Sequence, residues 1–410
     1  MNESGGAGET VPRIEGKNIV LGVTGGIAVY KACELVRGLV KLGGDVHVVM
    51  TKNAVEFVTP LTFQTLSGNG VAVDTFDLET ESEIGHIALA DRSDLIVVAP
   101  ATANVISKAA LGIADNLLTT VLLASTSPVI FCPAMNVNMY RHPAVQENLQ
   151  TLKTRGATIV EPAEGELACG WEGMGRLEDV DFIIDHIERA FAPKDLTGEK
   201  VVVTAGATRE FIDPVRFISN PATGKMGFAV AKEAWMRGAE VVLVSGHADV
   251  KAPKGVEVIH AESAAEMRSA VMGHLNWATV VIKAAAVGDY IPQNTTREKI
   301  KKESKGGFVL GLKKSPDILR EVGRKKNGKI VVGFAAETGN LLANAVEKLK
   351  KKNADLIVAN DVTSPGAGFG ADTNKVHFVD RNGNSEELPL MTKAAVAERI
   401  LNQVVEMKRG

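Results

Sequence analysis

The chain has few cysteines, little net charge and no long apolar run, and each shortage excludes a class. Its 410 residues contain three cysteines, Cys33, Cys132 and Cys169, with no CxxC pair. This excludes a disulfide framework and argues against a structural zinc site, so any important cysteine is important singly. The formal net charge is -3, which gives no electrostatic reason to expect nucleic acid or an anionic membrane as partner. No apolar run reaches the roughly 18 residues needed to cross a bilayer. The first fifteen residues lack both the basic segment and the apolar core of a leader peptide. A soluble cytoplasmic protein is expected. Neither GxGxxG nor Walker A occurs in the second half, so a nucleotide site there would be unconventional.

What is present is an alternation of short apolar runs with helical periodicity. At this length two or three domains are the prior. Residues 1–16 are polar and Gly-rich and read as a disordered tail. From Lys17 the runs IVLGV, HVVM, LIVVAP and PVIFCP alternate with helical stretches, and Asp179 to Phe191 reads as an amphipathic helix. Such alternation implies a parallel sheet covered by helices on both faces, with ligands at the carboxyl ends of the strands. The opening at Lys17 to Tyr30 is repeated at Lys200 to Val230. The expected organisation is therefore two α/β, Rossmann-like three-layer domains, 17–192 and 200–410, joined by a linker at 193–199.

In the first half, Gly25 and Gly26 lie in GVTGGIA. Glycines there let the backbone approach a phosphate at a helix N-terminus, although a tight turn accounts for them as well. A dinucleotide binder would place an acid after its second strand. Here HVVM is followed by Thr51 and Lys52, whose hydroxyl and ammonium suit a mononucleotide phosphate such as that of FMN. His86, in GHIALA, reads by itself as a histidine beside a helix start. Asn136, in PAMNVNMY, is an amide that can grip a carboxylate or cap a helix. Cys169 lies in GELACGWEGMGR, whose four glycines give the composition of a mobile flap bearing one thiol.

Taken together, VTGGIAVYK, GHIALA, APATAN, PAMNVNM and ACGWEGMGR resemble the flavin-dependent cysteine decarboxylases of the phosphopantothenoylcysteine type, from Lys17 to about Ala192. The resemblance implies a flavodoxin-like domain holding FMN between the subunits of a trimer. It makes Gly25, Gly26, Thr51, Ala101, Thr102 and Asn104 the FMN contacts and 4'-phospho-N-pantothenoylcysteine the substrate. By position, His86 becomes the active-site histidine, Asn136 the holder of the substrate carboxylate, and Cys169 the proton donor of the final reduction. These residue types suit the chemistry. Losing CO2 from a cysteine carboxylate needs an electron sink, which oxidation of the thiol carbon to a thioaldehyde creates, and returning the electrons needs an acid.

The second half repeats the alternation in VVVTAG, VVLVSG, VEVIH, TVVIKAAA, IVVGFAA, DLIVAND and VHFVD. Its loops are unusually polar: Arg209, Asp213, Arg216, Asn220, Thr223 and Lys225, then Asp289, then the basic run from Arg297 to Lys305. A basic run is most often a solvated face; the alternative is that lysines close over a triphosphate. Lys348 and Lys352, one helical turn apart, carry the same two readings.

In this half GATREFIDPVRFISNPATGKMG, KAAAVGDY, EKIKK, KSPDIL, VVGFAAET and KKNADLIVAND resemble phosphopantothenate-cysteine ligase, from Leu196 to the chain end. The resemblance implies a CTP-binding ligase domain. CTP with Mg2+ would activate the carboxylate of 4'-phosphopantothenate as an acyl-cytidylate, and cysteine would then displace CMP. Arg216 and Asn220 would handle that intermediate, with Lys299 as the catalytic lysine. Asp289, Pro316, Asp317, Ile318, Leu319, Phe334, Lys348 and Lys352 would bind CTP. Mg2+ would be held mainly by the triphosphate, near Asp289. The two activities fit one chain, because the ligase makes the amide that the decarboxylase converts to 4'-phosphopantetheine. A homo-oligomer built from trimers of the first domain and dimers of the second is expected. A pyridine-nucleotide oxidoreductase would need a ribose-binding acid that both halves lack, and a non-catalytic flavoprotein is disfavoured by the joint presence of His86, Asn136 and Cys169.

Overall fold

A computed structural model describes residues 12–74, 85–166, 170–301, 309–337, 339–361 and 364–409. The chain divides into two compact units at Ala192 and Pro193. In the first unit the strands Asn18–Val23, Asp45–Met50, Leu95–Ala101, Val129–Pro133 and Thr158–Ile159 form one sheet with every pairing parallel. Their spatial order is second, first, third, fourth, fifth. That is the flavodoxin-like arrangement, whose winding reverses between the first and third strands. All seven residues of Leu95–Ala101 are buried, as a parallel strand with helices on both faces requires. The helices Val29–Lys41 and Val180–Phe191 cover one face through Leu35, Leu39, Ile183 and Ile187. Ala103–Leu111, Leu117–Ala124 and Pro143–Thr154 cover the other through Ile106, Leu118 and Leu149.

The fold begins earlier than the sequence pattern indicated. Ile14 is fully buried in the first core, and the Gly16 N–H donates to the Gly43 carbonyl at 2.9 Å. One isoleucine among polar neighbours is too little periodicity to be read as structure.

The second unit is built on an eight-stranded sheet. Its order is Glu257–His260, Glu240–Ser245, Lys200–Ala205, Val280–Lys283, Ile330–Glu337, Leu356–Asp361, Val376–Asp380 and Ser385–Glu387. Six strands run parallel, and the last two add on antiparallel. The helix Lys225–Met236 packs on the central strand Lys200–Ala205, and the C-terminal helix Lys393–Arg409 packs on that helix. The segment 193–199, expected as a linker, belongs to this packing. Leu196 is fully buried, and the Arg237 guanidinium forks onto the Asp195 carboxylate at 2.9 and 2.5 Å.

The close seating of Lys225–Met236 depends on Gly227. A Cβ there would stand 2.5 Å from the Ala205 Cβ and 2.9 Å from the Thr204 carbonyl oxygen. Gly227→Ala is therefore expected to cost the second unit about 1–3 kcal/mol, the usual range for overpacking. Calorimetry should show a lowered melting transition; an unchanged one would mean that the helix can move away freely.

Candidate functional site

At the carboxyl edge of the first sheet, successive loops are tied to one another. The Thr51 N–H donates to the Val23 carbonyl at 3.0 Å, and the Ala134 N–H donates to the Ala101 carbonyl at 3.0 Å. Between them, the Thr24 hydroxyl donates to the Pro100 carbonyl at 2.7 Å and accepts the Thr102 N–H at 3.0 Å. This lacing brings Gly25, Gly26, Thr51, Ala101, Thr102 and Asn104 to one edge, around the point where the winding reverses. Gly25 has no room for a side chain, since a Cβ would lie 2.4 Å from the Asn53 Cβ. The Thr51 hydroxyl oxygen is buried without a hydrogen-bond partner, which is unusual for a hydroxyl shut away from water. A glycine turn before a helix together with an orphaned hydroxyl fits the phosphate of a mononucleotide.

Asn136 caps the short helix Val137–Arg141, its Oδ1 accepting the Asn138 N–H at 2.8 Å. A carboxylate only accepts, so such a role would fall to the Nδ2 donor of Asn136. The Gly-rich flap is an antiparallel hairpin of Ala163–Glu166 and Glu172–Arg176. It is anchored beside Asn136, where the Met135 N–H donates to the Gly175 carbonyl at 2.9 Å and a Cβ on Gly175 would stand 2.2 Å from the Met135 carbonyl oxygen. Cys169 lies outside the described residues. His86 is the second residue of the helix Gly85–Arg92 and is half-buried. Among the described residues, no hydrogen bond joins it to the loops at 22–26 or 101–104.

In the second unit a cavity of about 820 Å³ opens at the carboxyl ends of the central strands. Asn220, Asp289, Pro316, Asp317, Ile318, Leu319, Phe334, Lys348 and Lys352 all line it. Asp317 caps the helix Ile318–Arg324 by accepting the Arg320 N–H at 3.1 Å, and its other oxygen takes the Lys352 ammonium. Burial works to raise its carboxyl pKa, but the Lys352 bond and the cap outweigh it, holding the group below the usual carboxylate range. Among the described residues, no cluster of three His, Cys, Asp or Glu is placed to hold a metal ion.

Arg216 and Lys299 stand apart from this lining, on an arm formed by residues 209–219 and 290–301. Arg216 Nη1 donates to Asp213 Oδ2 at 2.6 Å and to the Ile300 carbonyl at 3.0 Å. Its Nε and Nη2 have no protein partner among the described residues.

Two lysines of the cavity were missed in the sequence. Lys283 ends the central strand Val280–Lys283, and its pKa is lowered to about 8 by burial and then by the nearby Lys348 ammonium. Its one hydrogen bond among the described residues goes to the Ala285 carbonyl at 3.1 Å. The single charge in TVVIKAAA was a legible signal for it. Lys393 has its pKa lowered to about 8 by burial and then by Lys225, and it donates to the Phe369 carbonyl at 3.1 Å and to that of Ala371. Lys225 donates to the Gly370 carbonyl at 2.9 Å and pairs with Asp372 at 2.6 Å. The loop 369–372 is thus stapled beside the start of the helix Lys225–Met236, an arrangement that no local pattern announces.

Comparison with known proteins agrees with this division. A family model described as flavoprotein matches residues 9–192, and one described as DNA/pantothenate metabolism flavoprotein C-terminal domain matches residues 196–407. A Bacillus subtilis protein named coenzyme A biosynthesis bifunctional protein CoaBC is 51% identical over 400 residues, 97% of this chain and 98% of that one. The protein of the same name from Vibrio cholerae is 46% identical over 395 residues, 96% of this chain and 99% of that one. A solved structure of the C-terminal domain of a CoaBC protein is 41% identical, with a TM-score of 0.46 over 53% of this chain and 98% of that chain. With both family models matched and relatives this similar along nearly their whole length, the chain belongs to the family of bifunctional coenzyme A biosynthesis proteins.

Proposed function

We propose that the chain performs two consecutive steps of coenzyme A biosynthesis. The second unit joins cysteine to 4'-phosphopantothenate at the expense of CTP, and the first decarboxylates the resulting 4'-phospho-N-pantothenoylcysteine to 4'-phosphopantetheine. The observation that carries this reading is the convergence of Asn220, Asp289, the segment 316–319, Phe334, Lys348 and Lys352 on one cavity. With Asp317 committed to Lys352 and to its own helix cap, Lys348 and Lys283, the latter giving one of its three donors to the Ala285 carbonyl, line the cavity as cations that can meet nucleotide phosphates. Mg2+ would enter with the triphosphate, near Asp289. Arg216, Asn220 and Lys299 then stabilise charge on the acyl-cytidylate as cysteine displaces CMP.

In the first unit Gly25, Gly26, Thr51, Ala101, Thr102 and Asn104 would hold FMN, which when bound supplies the two-electron oxidation and reduction at the thiol-bearing carbon. Asn136 holds the substrate carboxylate through Nδ2, His86 serves as the active-site histidine, and Cys169 on the flap delivers the closing proton. Among the described residues of this unit Ile27, Tyr30, Leu61, Leu111 and Leu123 are each more than half exposed. That apolar surface supports self-association of the first unit; trimers of the first unit and dimers of the second are what the family resemblance implies. Among the described residues no helix is long and apolar enough to cross a membrane, and the reading places the enzyme in the cytoplasm with its soluble substrates.

Mass spectrometry after incubation with 4'-phosphopantothenate, cysteine, CTP and Mg2+ tests both halves. We expect 4'-phosphopantetheine from the unmodified chain, unconverted acid from Lys299→Gln, and from Cys169→Ala no 4'-phosphopantetheine but the decarboxylated product still two electrons oxidised, at most one per active site, with the remaining cysteine amide unconverted. If no nucleoside triphosphate supports amide formation, the ligase assignment fails. Thr51→Val should fold yet purify with less visible flavin absorbance; full flavin content would remove Thr51 from the cofactor site. Lys283 loses its proton as pH rises through about 8, and the cation facing the nucleotide goes with it. CTP affinity should therefore fall across that pH. Lys283→Met should weaken CTP binding about tenfold below it, the worth of one charge-assisted contact. The variant's pH profile should be shallower, the remainder coming from Lys393, which titrates in the same range. Equal affinities at low pH would exclude Lys283 from the nucleotide site.

A further inference from the structure

Among the described residues, Asp213 is the one buried carboxylate that touches both segments assigned to the ligation chemistry outside the cavity lining. It is 1% exposed. One of its oxygens, Oδ1, accepts the N–H groups of Val215 and Arg216, each at 2.8 Å, which closes the turn carrying Arg216. The other, Oδ2, accepts Arg216 Nη1 at 2.6 Å and the Ile300 N–H at 3.0 Å, from a segment 87 residues away. The same Nη1 donates to the Ile300 carbonyl at 3.0 Å, and the Thr296 N–H donates to the Ile212 carbonyl at 3.1 Å.

Two consequences follow from this geometry. Four donors occupy the carboxylate, so it has no capacity left for a substrate and cannot itself be a catalytic group. Ile300, the residue after Lys299, is held at both its N–H and its carbonyl, so the backbone leaving Lys299 is fixed relative to the Arg216 guanidinium. That guanidinium uses only Nη1 for this purpose and keeps Nε and Nη2 for an anion. The arm is rooted at the cavity: the Thr208 N–H donates to the Ala286 carbonyl at 3.2 Å, the Ser219 hydroxyl donates to the Thr208 carbonyl at 2.8 Å, and the flanking Gly206 and Asn220 line the cavity wall.

We propose that Asp213 is a positioning residue of the ligation step, holding Arg216 and the Lys299 segment as one preorganised arm beside the nucleotide cavity. This rests on the assignment of ligation to the second unit. Nucleotide binding uses the cavity lining and does not pass through Asp213, whereas catalysis by Arg216 and Lys299 does. Removing the carboxylate therefore lowers kcat and leaves CTP affinity in place.

The test uses the full chain carrying Asp213→Asn, which keeps the size but sets an amide donor against the N–H groups now bound. CTP binding by calorimetry should match the unmodified chain, while kcat for amide formation should fall about 100-fold, the effect of a small misplacement of catalytic groups. The double variant Asp213→Asn with Arg216→Gln should lose less than the product of the two single losses, since both changes act through the one Arg216–Asp213–Ile300 junction, whereas general loosening of the unit would multiply them. Unchanged kcat, or losses that multiply in the double variant, would overturn the proposal. Should Asp213→Asn fail to fold, Asp213→Ser keeps an acceptor for the turn N–H groups and removes the second oxygen with both its bonds, to Arg216 Nη1 and to the Ile300 N–H, and the same outcomes apply. An unmodified chain that makes no amide would instead refute the ligase reading itself.

Discussion

Both candidate sites depend on backbone lying directly against backbone where a parallel strand ends and the next element begins. In the second unit Gly227 seats a helix on Thr204 and Ala205, and Gly206, at φ +76°, passes so near the His247 carbonyl that a Cβ would stand 2.4 Å from it. In the first unit Gly25 meets Asn53 in the same manner. Parallel strands all finish on one edge, so their loops converge there, and small residues let those loops close around a ligand without filling its space. A larger side chain at any of these positions would push the elements apart and change both stability and site.

Charge then separates what is structural from what is available. In the second unit Lys393 and Lys225 hold the carbonyls of 369–371, and Asp213 holds its arm. These groups lie beside the chemistry yet are occupied by the protein's own backbone. Lys283 and Lys348 share the cavity with Asp289 and with an Asp317 already paired to Lys352. Positive charge exceeds negative charge among the groups still available, which suits a polyanion. In the first unit the corresponding signal is an orphaned hydroxyl on Thr51.

Much of this was legible in the residues. The apolar runs predicted the strands because a buried parallel strand needs a continuous β-branched sequence, and LIVVAP and VVVTAG are such sequences. The residues that the family resemblance assigned to CTP were legible as motifs, and they line one cavity. The ends of the units were less legible: Ile14 and Leu196 are single apolar residues in polar surroundings, and only the core that receives them shows that they are packed. The hairpin form of the flap was hidden because GELACGWEGMGR has no alternation, its glycines being needed where Gly175 crosses the Met135 carbonyl.

The sequence by itself determined the fold class, the two-unit organisation and the residue types at each site, since periodicity and local motif chemistry are properties of neighbours along the chain. The tertiary structure alone decided which of those residues share a cavity, that Arg216 and Lys299 sit on an arm bound together by Asp213, and that Lys393 is drawn to a loop fixed by Lys225. Those relations join positions scores of residues apart, through hydrogen bonds to backbone groups that every residue possesses, so no side-chain pattern records them.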